Sequence, residues 1–263
     1  MDLVDLFKDS LRYPAENRMA WLMIMVICFV NSIFSMALAS IEDNIVVTVI
    51  VSIIVLIVSL VCAGFSLKVI RSQIDNTEVT TNDMTQLPEN ITSDLVGGIK
   101  VAVVEIVYSL VAFAITFIFT YLSGSWDKII SFISQLLAVG NVDVIPTSQI
   151  VSFAYSMIFV VFVGVILAII VYLLQTTSIV KLAETGSIMD ALNIKDVLSR
   201  ISTVGWGRYI IFMVLLAIIL FVAVIVLGIV SMIPYVGGII ADTIVGSYII
   251  LMMYASIGKL FAN

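Results

Sequence analysis

The sequence predicts an all-α integral membrane protein, with six transmembrane helices arranged as three antiparallel hairpins and short amphipathic interfacial helices before spans 1, 3, 4 and 5. Composition is the first observation behind this. Hydrophobic residues make up 62% of the chain and charged residues 11%, with a mean hydropathy of +1.24, far from the roughly half-apolar, quarter-charged mix of a soluble domain. A soluble fold of 263 residues cannot hide that much apolar surface, so the bilayer is its solvent. The second observation is the length of the apolar runs. Tyr209 to Ile233 carries no charge and, at about 25 positions, exceeds the roughly 20 that cross a bilayer core as a helix. The third is where the basic residues sit. Of 12 Lys and Arg, all but Lys128 fall on the side shared by the N-terminus, the even-numbered loops and the C-terminus. That bias predicts a multi-pass cell-membrane protein with both termini cytoplasmic.

Taken in order, residues 2–12 read as an amphipathic helix: Asp2 caps it, Leu3, Leu6, Phe7 and Leu11 form its apolar stripe, and Pro14 is expected to end it. Spans 1 and 2 occupy about residues 21–39 and 45–67, joined by Ser40-Ile41-Glu42-Asp43-Asn44, a link short enough to enforce an antiparallel pair. Cys28, Asn31 and Ser35 share a face of span 1, and Thr48, Ser52, Ser59, Ala63 and Ser66 a sector of span 2. Hydroxyls and amides gain nothing from lipid, so these stripes are expected to face inward and bond between helices. Cys28 and Cys62 sit at nearly equal depth and are expected to be neighbouring reduced thiols.

Lys68 to Lys100 is the most polar stretch, with a loop-like centre over residues 75–83 that lacks the spacing of a calcium loop. Ile91, Leu95, Val96 and Ile99 suggest an interfacial helix that Gly97-Gly98 should break. Span 3, about 101–122, carries the stripe Glu105, Ser109, Ala112, Thr116 and Thr120. Ile129, Ile130, Phe132, Ile133, Leu136 and Leu137 then form the apolar face of another amphipathic helix, with Lys128 on its polar side. Span 4 covers about 150–174. Asn193 caps a short helix with Ile194, Val197, Leu198 and Ile201 inside. Spans 5 and 6, about 209–233 and 236–260, flank the turn Ile233-Pro234-Tyr235-Val236-Gly237-Gly238. The whole chain, 1–263, reads as a single membrane domain.

Leu11-Arg12-Tyr13-Pro14 before span 1, Leu87-Pro88-Glu89 and Gly98-Ile99-Lys100 before span 3, and Ala191-Leu192-Asn193 with Gly205-Trp206 and Tyr209 before span 5 carry a family resemblance. Together with Ile233-Pro234 and Gly237-Gly238, they resemble a family of polytopic membrane proteins, domain of unknown function 4013, found mainly in archaea. The resemblance covers nearly the whole chain. It implies architecture and no activity.

The chemistry that remains is sparse. With no histidine there is neither a His-Glu-x-x-His zinc site nor a Ser-His dyad, and no phosphate-binding Gly-rich loop is present. No catalytic residue, metal ligand or cofactor is expected, and the net charge of −6 argues against nucleic acid. The candidate intramembrane polar residues are Asn31, Glu105, Asp242 and Lys128. Glu105, about one turn beyond Lys100, is expected to pair with a basic residue or a headgroup. Asp242 is expected to pair with Lys128, the alternative being a neutral carboxyl bonded to a hydroxyl. The expected function is a non-catalytic membrane scaffold or partner-binding subunit whose partners are the lipid bilayer, other membrane proteins or a second copy of itself. The alternative is a small permease or channel with a path lined by the polar stripes of spans 1 to 3.

Overall fold

The computed structural model describes residues 2–40, 44–77, 87–234 and 236–262. The connection over 41–43, most of the polar loop centre and Tyr235 lie outside the described residues. Within them all regular structure is helical: α1 (Leu3–Glu16), α2 (Arg18–Ser40), α3 (Ile45–Ile74), α4 (Leu87–Leu122), α5 (Ser125–Val139), α6 (Thr147–Thr185), α7 (Ile188–Leu192), α8 (Ile194–Val204), α9 (Trp206–Ser231), α10 (Gly237–Ile240) and α11 (Ser247–Phe261). Six helical stretches are long and apolar enough to cross a membrane: Arg18–Leu38, Ile45–Ile74, Asn90–Leu122, Thr147–Thr185, Trp206–Ser231 and Gly237–Phe261. Each of the six expected spans falls on one of them. The chain packs as two units, residues 1–104 with 177–263, and residues 105–176.

In the first unit the core gathers at the basic end of the spans. Buried side chains come from the end of α3 (Phe65, Val69, Ile70), the start of α9 (Tyr209, Phe212, Leu216) and the end of α11 (Leu251, Ala255, Leu260, Phe261). The amphipathic helices complete it. Leu6, Phe7 and Tyr13 of α1 are buried, Phe7 stacking on Phe212 with ring centroids 5.1 Å apart, and the Tyr248 hydroxyl donates to the Leu11 carbonyl. Towards the other end α9 is apolar but exposed, with Phe221, Val224 and Ile229 all uncovered, as a helix solvated by lipid can be.

Three local expectations need correction. Pro14 does not end α1, which runs on to Glu16; in the final turn the missing proline N–H removes a single bond, and Asn17 still closes the helix with its N–H on the Tyr13 carbonyl at 2.9 Å. The buried stripe is accordingly displaced, taking in Ser10 and Tyr13 and leaving Leu11 exposed. Gly97-Gly98 does not break a helix either. α4 is continuous from Leu87, and the glycines serve as its contact with α3: a Cβ on Gly98 would lie 1.8 Å from the Leu60 carbonyl oxygen, and one on Gly64 would lie 1.7 Å from that of Asp94. Close backbone approach of this kind is available only without side chains. Finally, α8 begins as expected, Asn193 Oδ1 accepting from the Lys195 N–H at 3.2 Å and Asn193 Nδ2 donating to Asp196 at 2.7 Å. Only Val197 and Ile201 of its four apolar residues are buried, Ile194 and Leu198 remaining exposed.

The second unit holds the later part of α4, α5 and the earlier part of α6. Gly124 and Gly140 take left-handed conformations, both at φ 69°, immediately before and after α5, the conformation in which glycine carries no steric cost. Phe132 of α5 is buried and stacks on Phe153 of α6 at 4.2 Å. The rest of the expected apolar face stays largely open, Leu137 being 81% exposed.

Candidate functional site

Polar groups within the spans of the first unit converge where α2, α3 and the sixth span meet. α2 supplies Cys28, Asn31 and Ser32 in one helical turn, and α3 supplies Ser59, Cys62 and Ser66. A cavity of roughly 260 Å³ lies between them, closed on the third side by Ile250, Met253 and Tyr254 of α11. The two cysteines are free and adjoin each other across α2 and α3, as expected of equal-depth positions on adjoining helices. Asn31 Oδ1 accepts from Ser59 at 3.5 Å, a long and weak bond. Ser66 turns back on its own helix, donating to the Cys62 carbonyl at 2.9 Å.

That last pattern recurs along the stripes and limits the expectation of hydroxyls bonding between helices, which Ser59 meets in its bond to Asn31. Thr48 donates to the Asn44 carbonyl at 3.0 Å, Thr116 to Ala112 at 2.9 Å, and Thr120 to Thr116 at 2.8 Å. A hydroxyl that bonds the carbonyl four residues back is satisfied without a neighbour or water. The stripes also face inward only in part: Ser35, Ser52, Ser59 and Ser109 are exposed.

The acidic residue of the sixth span sits on an element that the sequence did not reveal. Ala241–Gly246 forms one stretch of π-helix between α10 and α11, a wider turn that aims side chains differently from an α-helix and recurs at functional positions. It presents Asp242 to α2, where buried Ser32 donates to Asp242 Oδ2 at 3.2 Å. The bond partner of Asp242 is thus a hydroxyl. Lys128, the partner first expected, is exposed on α5 and belongs to the second unit. The carboxylate of Asp242 otherwise remains exposed. Ser32 precedes Ser40, the end of α2, by eight residues, which puts the pair about 12 Å inside that end at 1.5 Å per residue. Close by, the Trp21 indole N–H donates to Ser247 at 3.0 Å, and Ser247 donates to the Thr243 carbonyl at 2.5 Å. The Thr243 hydroxyl is buried and finds no hydrogen-bond partner among the described residues.

The remaining candidates lie elsewhere. Glu105 belongs to the second unit, where the amide of Gln175 is its neighbour, and no ion pair to a basic residue forms there among the described residues. Among the described residues no cluster of three or more His, Cys, Asp or Glu could hold a metal ion. Sequence reasoning identified Asn31 and Asp242 but missed Ser32, whose one signal is its position four residues after Cys28 on the α2 polar stripe.

A family model described as a protein of unknown function (DUF4013) matches residues 47–232. No curated protein and no solved structure matches the chain.

Proposed function

The chain belongs to the DUF4013 family of proteins of unknown function, and from that premise we propose that it is a non-catalytic, partner-binding subunit of the cell membrane, both termini on the cytoplasmic side. Exposed Asp242 carries this reading. An aspartate at the centre of a membrane helix costs roughly 2.5 to 3.5 kcal/mol, and less towards the interface. Ser32 relieves only part of that, since its single hydroxyl serves one of the two carboxylate oxygens. A membrane helix of another protein that brings a basic or amide side chain to this depth would relieve the rest. The π-helical turn favours the same reading, because it holds Asp242 at a helix surface without filling the space around it.

The permease reading draws on the cavity between α2, α3 and α11. Among the described residues no charged one lines that cavity, and packed side chains, among them Phe65, Val69, Leu251 and Ala255, make contact with its lining residues Cys28, Ile250 and Tyr254. Subunit binding therefore accounts for more of the geometry.

The test is photo-crosslinking in the native membrane, with a benzophenone amino acid at Ile244, which is 44% exposed on the same π-turn as Asp242. Discrete adducts of higher mass are expected, and they should vanish when Asp242→Leu is introduced. A featureless smear, or adducts unchanged by the substitution, would contradict partner binding at this site.

A further inference from the structure

A second polar feature of the first unit lies at the opposite end of the spans and is not used by the reading above. α3, the start of α4 and the end of α6 with Gly186 enclose a cleft of roughly 370 Å³. Three cations line it, Lys68 and Arg71 from α3 and Lys100 from α4, together with Ser93 and the backbone of Gly64 and Gly97. Where the two helices touch, Gly64 and Gly97 leave no side chain: a Cβ on Gly97 would lie 3.3 Å from the Gly64 Cα. The cations thus stand around a floor of bare backbone.

Among the described residues their charge is incompletely balanced. Lys68 Nζ lies 2.6 Å from Asp94, whose side chain is only 4% exposed, so that pair is a fixed part of the wall. Arg71 meets Asp75 at 3.6 Å with both side chains more than half exposed, a contact of little strength that a better acceptor can displace. Lys100 Nζ donates at 2.7 Å to the carbonyl of Gly186, a neutral acceptor, and meets no carboxylate among the described residues. The carboxylate of Glu184, two residues before Gly186, is held by Arg200 at 2.7 Å and Lys181 at 3.4 Å.

The depth of the cleft narrows what could fill it. Lys68 follows the apolar run of span 2 directly, and Lys100 immediately precedes that of span 3, so both ammonium groups reach the headgroup level of the bilayer. Basic pockets between membrane helices at that level suit phosphate-bearing headgroups, and a guanidinium grips phosphate in two-pronged fashion. We propose that this cleft binds a phosphate group presented at the membrane surface, with Arg71 and Lys100 as its ligands and the Lys68–Asp94 pair as fixed support.

The experiment is native mass spectrometry of the delipidated full chain titrated with phosphatidylglycerol, with phosphatidylcholine as the zwitterionic reference and inorganic phosphate as competitor. The variants are R71Q/K100Q, with R71Q alone as the milder change and K195Q, at exposed Lys195 of α8, as a control. Lys68 is left in place because its loss would strand a buried carboxylate. The double variant should bind phosphatidylglycerol about thirtyfold more weakly, the loss expected for two surface cations, with R71Q intermediate and K195Q unchanged. Displacement by millimolar inorganic phosphate would identify a soluble phosphate as ligand; resistance to it would identify the lipid headgroup. Equal binding of both lipids, or equal losses in K195Q and R71Q/K100Q, would overturn the proposal.

Discussion

At the scale of single residues, the contact between α3 and α4 depends on atoms that are missing. Alanine at Gly64 would bring its Cβ to 1.7 Å from a backbone carbonyl oxygen of the opposing helix, and backbone cannot swing aside as a side chain can. The helices must separate instead, at a cost of about 1 to 3 kcal/mol. Gly164 has nothing within 4 Å of the position a Cβ would take. Gly64→Ala is therefore expected to lower the unfolding temperature in detergent by several degrees, and Gly164→Ala to leave it unchanged. Equal shifts would refute the glycine contact. This is also where the sequence misleads most instructively. Gly97-Gly98 carries one local meaning, weak helix propensity, and one tertiary meaning, close approach; only the carbonyl of Leu60 opposite decides between them. The hydroxyls posed the same ambiguity, since Thr116 on a polar stripe looks identical whether it bonds a neighbouring helix or, as here, the carbonyl of Ala112.

At the scale of elements, Arg200 joins three segments at the basic end. Its guanidinium donates from Nε and Nη2 to Glu184 at 2.9 and 2.7 Å, from Nη2 to the Phe261 carbonyl at 2.8 Å, and lies over the Phe261 ring at 5.5 Å. The arginine sits on α8, the glutamate on α6, and Phe261 is the last residue of α11. The last carbonyls of a helix lack intrahelical donors, so this bond also caps α11. Arg200→Ala should cost about 2 to 3 kcal/mol, as charge-assisted bonds do. Faster amide hydrogen exchange over residues 251–261 would report it, and Arg200→Lys should restore only part of the protection because an ammonium cannot reproduce the planar fork. Unchanged exchange would mean that apolar packing alone holds α11. The existence and order of the six spans were legible because apolar runs and basic flanks are one-dimensional signals. The π-turn at 241–246 was not, because nothing in Ala-Asp-Thr-Ile-Val-Gly distinguishes a wide turn from an α-helical one until α2 and Ser32 are placed beside it.

At the scale of the whole molecule, the first unit is closed at the basic end and open at the other. Phe65, Ile70, Tyr209, Leu251 and Phe261 are all buried near the first, whereas Val46, Val49, Phe221 and Val224 near the other are exposed. Asp242 lies in that open half, bonded to Ser32 and otherwise uncovered. An aspartate was visible there in the sequence, and so was its cost; its environment was not, because Lys128 was the expected partner and only the packing of α2 brings the Ser32 hydroxyl to it. The central claim, that Asp242 receives another membrane helix, is tested most directly by particle mass. The full chain, 28.7 kDa, would be extracted from its native membrane into polymer-bounded lipid discs and weighed beside Asp242→Leu and Asp242→Glu. Partner binding predicts discs heavier than one chain in lipid for the wild type and Asp242→Glu, and a fall to the single-chain mass for Asp242→Leu. Single-chain discs for the wild type, or an unchanged mass in Asp242→Leu, would contradict it.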